Sequence, residues 1–142
     1  MKNTILATVA TLLFSANAFA VRTVECIPGQ DTDTRVTITF NRDIDPKKPF
    51  IGAYDWGATL KITRARSSNS YVNPNLRMTP VINYSDINLS GDAAGVYLRL
   101  YPQLDSRENF TNYEGQLFVN DLDARVYFNF TDRDGITGLI CK

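Results

Sequence analysis

The side chains best suited to hold a ligand recur at every second position of two short segments. Tyr97, Arg99 and Tyr101 alternate with Val96, Leu98 and Leu100, and Arg125 and Tyr127 alternate with Val126 and Phe128. An extended strand sends successive side chains to opposite faces, so each segment carries one apolar face and one aromatic, guanidinium-bearing face. Flat phenol rings beside guanidinium forks suit sugars, carboxylates or the chain of a partner peptide. Tyrosines also cover plain strand surfaces and pair across them, which is the competing structural role of the same residues. A second group, Tyr54-Asp55-Trp56-Gly57, holds the only tryptophan. Tyr54 and Trp56 end a long turn-rich stretch, where a ring can stack on a ligand or anchor a protein contact. A lone tryptophan can equally plug the end of a small β core.

Catalytic chemistry is narrower. The 142 residues include no histidine. Ser-His-Asp and Cys-His sites are thereby excluded, as are imidazole-bound zinc, copper and haem. Two cysteines cannot complete a thiolate zinc site. Carboxylates remain: Glu108 and Glu114 would serve glycoside hydrolysis only if the fold set them about 5–9 Å apart. Aspartates come in pairs, Asp31/Asp33, Asp43/Asp45, Asp121/Asp123 and Asp132/Asp134. Asp132-Arg133-Asp134-Gly135 resembles the opening of a calcium loop but lacks the later ligands and the closing glutamate. Aspartate in a turn is expected in any case, because its oxygens bond the local backbone. No catalytic residue, metal site or cofactor is expected.

These groups must be positioned by the rest of the chain, which divides into two parts. Residues 1–20 read as a cleaved signal peptide of the bacterial type. Lys2 gives the positive start, Ile5 to Phe14 the apolar centre, and Ala18-Phe19-Ala20 the cleavage signature. That apolar centre is too short to span a membrane as a helix, which needs about twenty residues. The mature protein is expected to begin at Val21 and to reach the periplasm or the extracellular space. Losing Lys2 takes the charge balance from 15 against 15 to 14 against 15. A chain so near neutrality has no bulk charge for nucleic acid or an anionic membrane.

Residues 21–142 are expected to form one all-β domain. Strict alternation in Val36–Phe40, Leu60–Ile62, Val96–Tyr101 and Arg125–Phe130 marks half-buried strands, with Asp, Gly and Pro turns between them. Strands are expected at about 22–27, 34–41, 58–65, 78–84, 95–101, 115–120, 124–131 and 136–141, with long loops at about 43–57, 67–75 and 102–114. Seven or eight such strands make a compact antiparallel barrel or a two-sheet sandwich. Cys26 shares its face with Val24, and Cys141 shares its face with Leu139. A buried disulfide joining the first and last strands is therefore expected, in keeping with export. Closing a loop of about 115 residues contributes roughly 4–5 kcal/mol in the chain-entropy model.

The functional expectation is an exported, soluble β domain that binds a glycan, a small ligand or amphiphile, or a protein partner. Tyr54, Trp56, Tyr97, Arg99, Tyr101, Arg125 and Tyr127 are its candidate contacts. A structural component of the cell envelope and a histidine-free hydrolase are the alternatives. No membrane span is expected, and Arg99 and Arg125 would interrupt the lipid-facing band of an outer-membrane barrel. Closure into a barrel would put the tyrosine and arginine face on its outside, because the apolar set must fill the inside. Oligomeric state is left open.

Overall fold

A computed structural model describes residues 21–44, 57–79, 86–91, 95–131 and 138–142. Residues 1–20, the expected signal peptide, lie outside these, as do Tyr54 and Trp56. Among the described residues nine strands follow one another: β1 (Val21–Pro28), β2 (Thr34–Ile44), β3 (Gly57–Arg64), β4 (Ser70–Met78), β5 (Ile87–Ser90), β6 (Val96–Leu104), β7 (Phe110–Asp121), β8 (Val126–Phe130) and β9 (Leu139–Cys141). Neighbours in sequence pair antiparallel from β1 through β8. β9 pairs with both β7 and β1, which closes the sheet. β8 takes Leu117 to Asp121 of β7, and β9 takes Tyr113 to Gly115 on the same strand. The result is an eight-stranded antiparallel barrel whose eighth position is divided between β8 and β9.

Alternation decides what the barrel encloses. Val36, Ile38, Leu60, Ile62, Leu89, Leu98, Leu100, Leu117 and Val119 are all buried and meet inside. Eight strands leave an interior that side chains can just fill. Tyr113 is the largest of the fully buried residues. Gly115 also faces inward, where a Cβ would stand 2.9 Å from Leu100 Cδ2, so its missing side chain lets Leu100 pack close to β7. Gly95 opens β6 with φ of 113°, a conformation that side chains resist. Its carbonyl accepts the Asn120 amide at 2.8 Å, fixing the β6–β7 register at that end.

The seam carries the disulfide. Cys26 and Cys141 are direct register partners on β1 and β9, both fully buried and bonded to each other. Beyond them, the amides and carbonyls of Glu25 and Lys142 exchange hydrogen bonds of 2.8 and 2.9 Å. The first and last strands are thus adjacent and antiparallel, as the facing of Val24 and Leu139 requires.

Two expected boundaries differ. The serine- and asparagine-rich stretch at 67–75 is wall rather than loop from Ser70 onward, because Tyr71 and Leu76 both point inward. The register slips between Ala58 and Leu60, opposite Pro74-Asn75, and this breaks the period-two pattern that would have revealed β4. Of the strand expected at 78–84 only Met78, the last residue of β4, and Thr79 are described, and residues 80–84 lie outside the described set. The loop at 102–114 shrinks to residues 105–109, since Pro102 pairs in register with Tyr113. Among the described residues the β5–β6 ladder runs from Tyr97 to Leu100.

The β7–β8 hairpin packs its apolar side against the core. Val126, Phe128 and Phe130 are half-buried against the core, and the Arg64 guanidinium lies 4.9 Å from the centre of the Phe128 ring. The Tyr71 hydroxyl, reaching from β4, donates to Asp121 Oδ2 at 3.0 Å. Hydrogen bonds from the Ala124 amide and then from Tyr71 hold the Asp121 carboxyl below its ordinary value, while burial pushes the Tyr71 phenol above its own. The signs follow from linkage. Stability from Asp121 is complete above the unfolded carboxylate value of about 4 and is lost as pH falls through the depressed folded value. Stability from Tyr71 is complete below about pH 10 and is lost as pH rises toward its elevated folded value. We expect Tyr71→Phe to melt at a lower temperature at neutral pH and to show a shallower loss of stability below about pH 4. Thermal unfolding across pH, followed by circular dichroism, reads both, and an unchanged acid limb would show that Tyr71 does not latch the hairpin.

Candidate functional site

The outward face of β6 takes its rows from strand register. Ser90, Tyr97, Phe118 and Asn129 are successive partners across β5, β6, β7 and β8. Asn88, Arg99 and Gln116 form the next row, and Tyr101 with Glu114 the one after. Tyr97, Arg99 and Tyr101 therefore lie outside the barrel, as the more apolar set inside demands. Tyr127 joins them from β8 through Phe118, whose ring it meets edge-to-face at 5.9 Å. Arg125 stands apart: it is exposed in the turn before β8, with φ of 54°.

Asp86 and Arg99 hold the middle of this face. Arg99 Nη2 donates to Asp86 Oδ2 at 2.7 Å, and the guanidinium lies 4.8 Å from the centre of the Tyr101 ring. The side chains are 23% and 7% exposed, low values for a pair on an outer wall. The hydrogen bond to Asp86 raises the Arg99 pKa further above its ordinary value, outweighing the opposing effect of burial, so the charge persists at every accessible pH. Arg99 Nε is buried with no hydrogen-bond partner among the described residues.

The remaining polar groups are held in place. The Tyr101 hydroxyl donates to Gln116 Oε1 at 2.9 Å, and Gln116 Nε2 donates to the Thr131 carbonyl at 2.7 Å. Tyr97 points its hydroxyl at Asn88 Oδ1 across a long 3.5 Å. Asn88 is buried although it faces outward. Thr131 Oγ1 donates to Asn129 Oδ1 at 2.6 Å. Tyr97 and Tyr127 are the exposed rings, at 39% and 60%. The face thus offers two accessible aromatic planes around a fixed, charge-balanced set of donors and acceptors. No family model, curated protein or solved structure matches the chain.

Asp86, Asn88, Gln116 and Phe118 were not among the residues that the sequence pattern singled out. Gln116 and Phe118 were legible, since they alternate with Leu117 and Val119. Asp86 and Asn88 were hidden because β5 has only four residues, too few to display a period. The carboxylates raised as hydrolytic candidates separate in kind: Glu108 sits at φ of 61° in the β6–β7 turn, and Glu114 lies on the outer wall of β7. Two of the paired aspartates act on their turns, and Asp45, Asp132 and Asp134 lie outside the described residues. Asp31 accepts from the Asp33 and Thr34 amides and from the Thr34 hydroxyl, and Asp121 Oδ1 accepts from the Ala124 amide. A polar groove of about 590 Å³ lies around Gly57, between Arg22, Asn41, Asn75 and Arg77.

Proposed function

We propose that this chain is an exported binding domain that uses the outer wall of β5–β8 to hold an uncharged, hydroxyl-rich ligand, an oligosaccharide in chemical terms. The observation that carries this reading is the Arg99–Asp86 pair, largely buried on the outside of the barrel and laid along Tyr101. The pair cancels its own charge, so the face offers little to a carboxylate or phosphate. Charge-balanced forks, side-chain amides and open phenol rings match the alternating hydroxyl edges and C–H faces of a pyranose. The filled interior argues against a small amphiphile held inside. Outward charges at Glu25, Arg35, Lys61 and Glu114 favour an aqueous setting over a lipid one. The Cys26–Cys141 bond favours an oxidising compartment, in line with the expected signal peptide.

Binding to a panel of neutral, uronic-acid and sialylated oligosaccharides tests the proposal. We expect retention of neutral chains, with Tyr97→Ala and Tyr127→Ala each weakening affinity about tenfold while the melting temperature stays unchanged. A preference for the acidic sugars, or binding indifferent to both substitutions, would refute it. Capture of a protein ligand through the same two tyrosines would transfer the face to a peptide partner.

A further inference from the structure

The seam that carries the disulfide has a second property on its outer side. Ile27 on β1 and Ile140 on β9 are register partners, and both are exposed, at 40% and 45%. They floor a groove of about 470 Å³ bordered by Glu25, Arg35 and Lys142. The charges around them have an order set by the strands. In the isoleucine row, Glu114 on β7 precedes Ile140, and one step beyond the Cys26–Val36 register Arg35 on β2 follows Ile27 on the same groove. In the adjoining row Lys142 follows β9 and Glu25 lies beside it on β1. All four charged residues are exposed, and no ion pair joins Glu25, Lys142 or Glu114 to another group among the described residues. Arg35 gives Nη1 to the carbonyls of Thr32 and Thr34, which fixes its position and leaves its charge unbalanced.

Across the seam, the two rows run acid, apolar, apolar, base and then base, acid. A twofold axis parallel to the strands, placed between β9 and β1, exchanges the two sides of this pattern. It sets Ile140 against the second copy's Ile27, Lys142 against its Glu25, and Glu114 against its Arg35, each contact occurring twice. Glu114 and Arg35 would stand about 7 Å from the axis, one and a half strand spacings, within reach of long side chains around a convex wall. Aligned packing of two sheet faces permits such an axis. We propose that this face is an isologous dimer interface and that its occupant is a second copy of the same chain. Self-complementarity singles out that occupant: an unrelated partner would have no reason to require matched acid and base about one line. The dimer is additional to ligand binding by the β6 face and would present two such faces at once.

Sedimentation equilibrium of the full, disulfide-intact chain over roughly 1 µM to 1 mM tests the proposal. The wild type should show a monomer–dimer equilibrium that weakens with salt. Arg35→Glu and Glu114→Arg should each raise the dissociation constant at least about tenfold, because every reversal acts twice. The double variant Arg35→Glu/Glu114→Arg should return to near the wild-type value. Glu114→Arg leaves the β1–β2 turn untouched, and the pair Glu25→Lys and Lys142→Glu repeats the logic if Arg35→Glu does not fold. A protein monomeric throughout the range overturns the proposal. So does a dimer indifferent to the single reversals, or one that the double variant fails to restore.

Discussion

Replacing both half-cystines, as Cys26→Ala/Cys141→Ala, is expected to lower stability by about 4 kcal/mol and the melting temperature by roughly 15 °C. The bond spans 115 residues of sequence, from the first described strand to the last. In the chain-entropy model a loop of that size confines the unfolded ensemble by about 5 kcal/mol. Part of this is discounted because β1 and β9 also share a backbone ladder, and part is added back because two fully buried sulfurs are removed from the seam. The position matters as much as the loop length. β9 has only three residues, too few to hold one side of a barrel on hydrogen bonds alone. Without the bond, β9 and the closure between β7 and β1 should open first. Denaturant unfolding with and without reductant reads the effect, and hydrogen exchange at Ile27 and Ile140 locates it. A loss below about 1 kcal/mol would mean that the barrel closes without its staple.

Arg99→Ala is expected to cost about 2 kcal/mol, although the residue lies outside the core. The cost comes from what stays behind: the Asp86 side chain is 7% exposed and loses the guanidinium that donates to it. A fully buried pair broken in this way loses about 3–5 kcal/mol, and the lower figure allows for the 23% exposure of Arg99 and the screening this admits. Tyr101 would also lose the guanidinium stacked on its ring. Arg99→Met combined with Asp86→Leu removes both charges and should recover most of the stability while still losing ligand binding. That contrast separates the two roles of the pair. If Arg99→Ala unfolds within about 0.5 kcal/mol of wild type, the pair is screened like an ordinary surface contact and its hold on the face is weak.

Much of the barrel was legible in the residue pattern. Alternation in Val36–Phe40, Leu60–Ile62 and Val96–Tyr101 marked strands and their inward sides, because burial on one face imposes a period of two that mutation cannot blur cheaply. The same logic placed Cys26 beside Val24 and Cys141 beside Leu139, and so joined the two ends. Legibility failed where the chain bulges or where a strand is short. The slip opposite Pro74-Asn75 put Tyr71 and Leu76 on one side at an odd spacing, and β4 looked like a loop. β5 held too few residues to show alternation, so Asp86 and Asn88 did not stand out as members of the candidate site.

Residue types and their spacing were enough to establish an all-β domain, two terminal strands joined by one disulfide, and a chemistry closed to histidine. Those conclusions depend on composition and on local periodicity, which need no knowledge of distant neighbours. The choice between barrel and sandwich needed the folded chain, since closure depends on whether β9 can reach β7 and β1 at once. Only the tertiary structure set Asp86 against Arg99 and turned an apparently cationic face into a balanced one. Registers between strands far apart in the chain fix such pairs, and no pattern within a single strand encodes them.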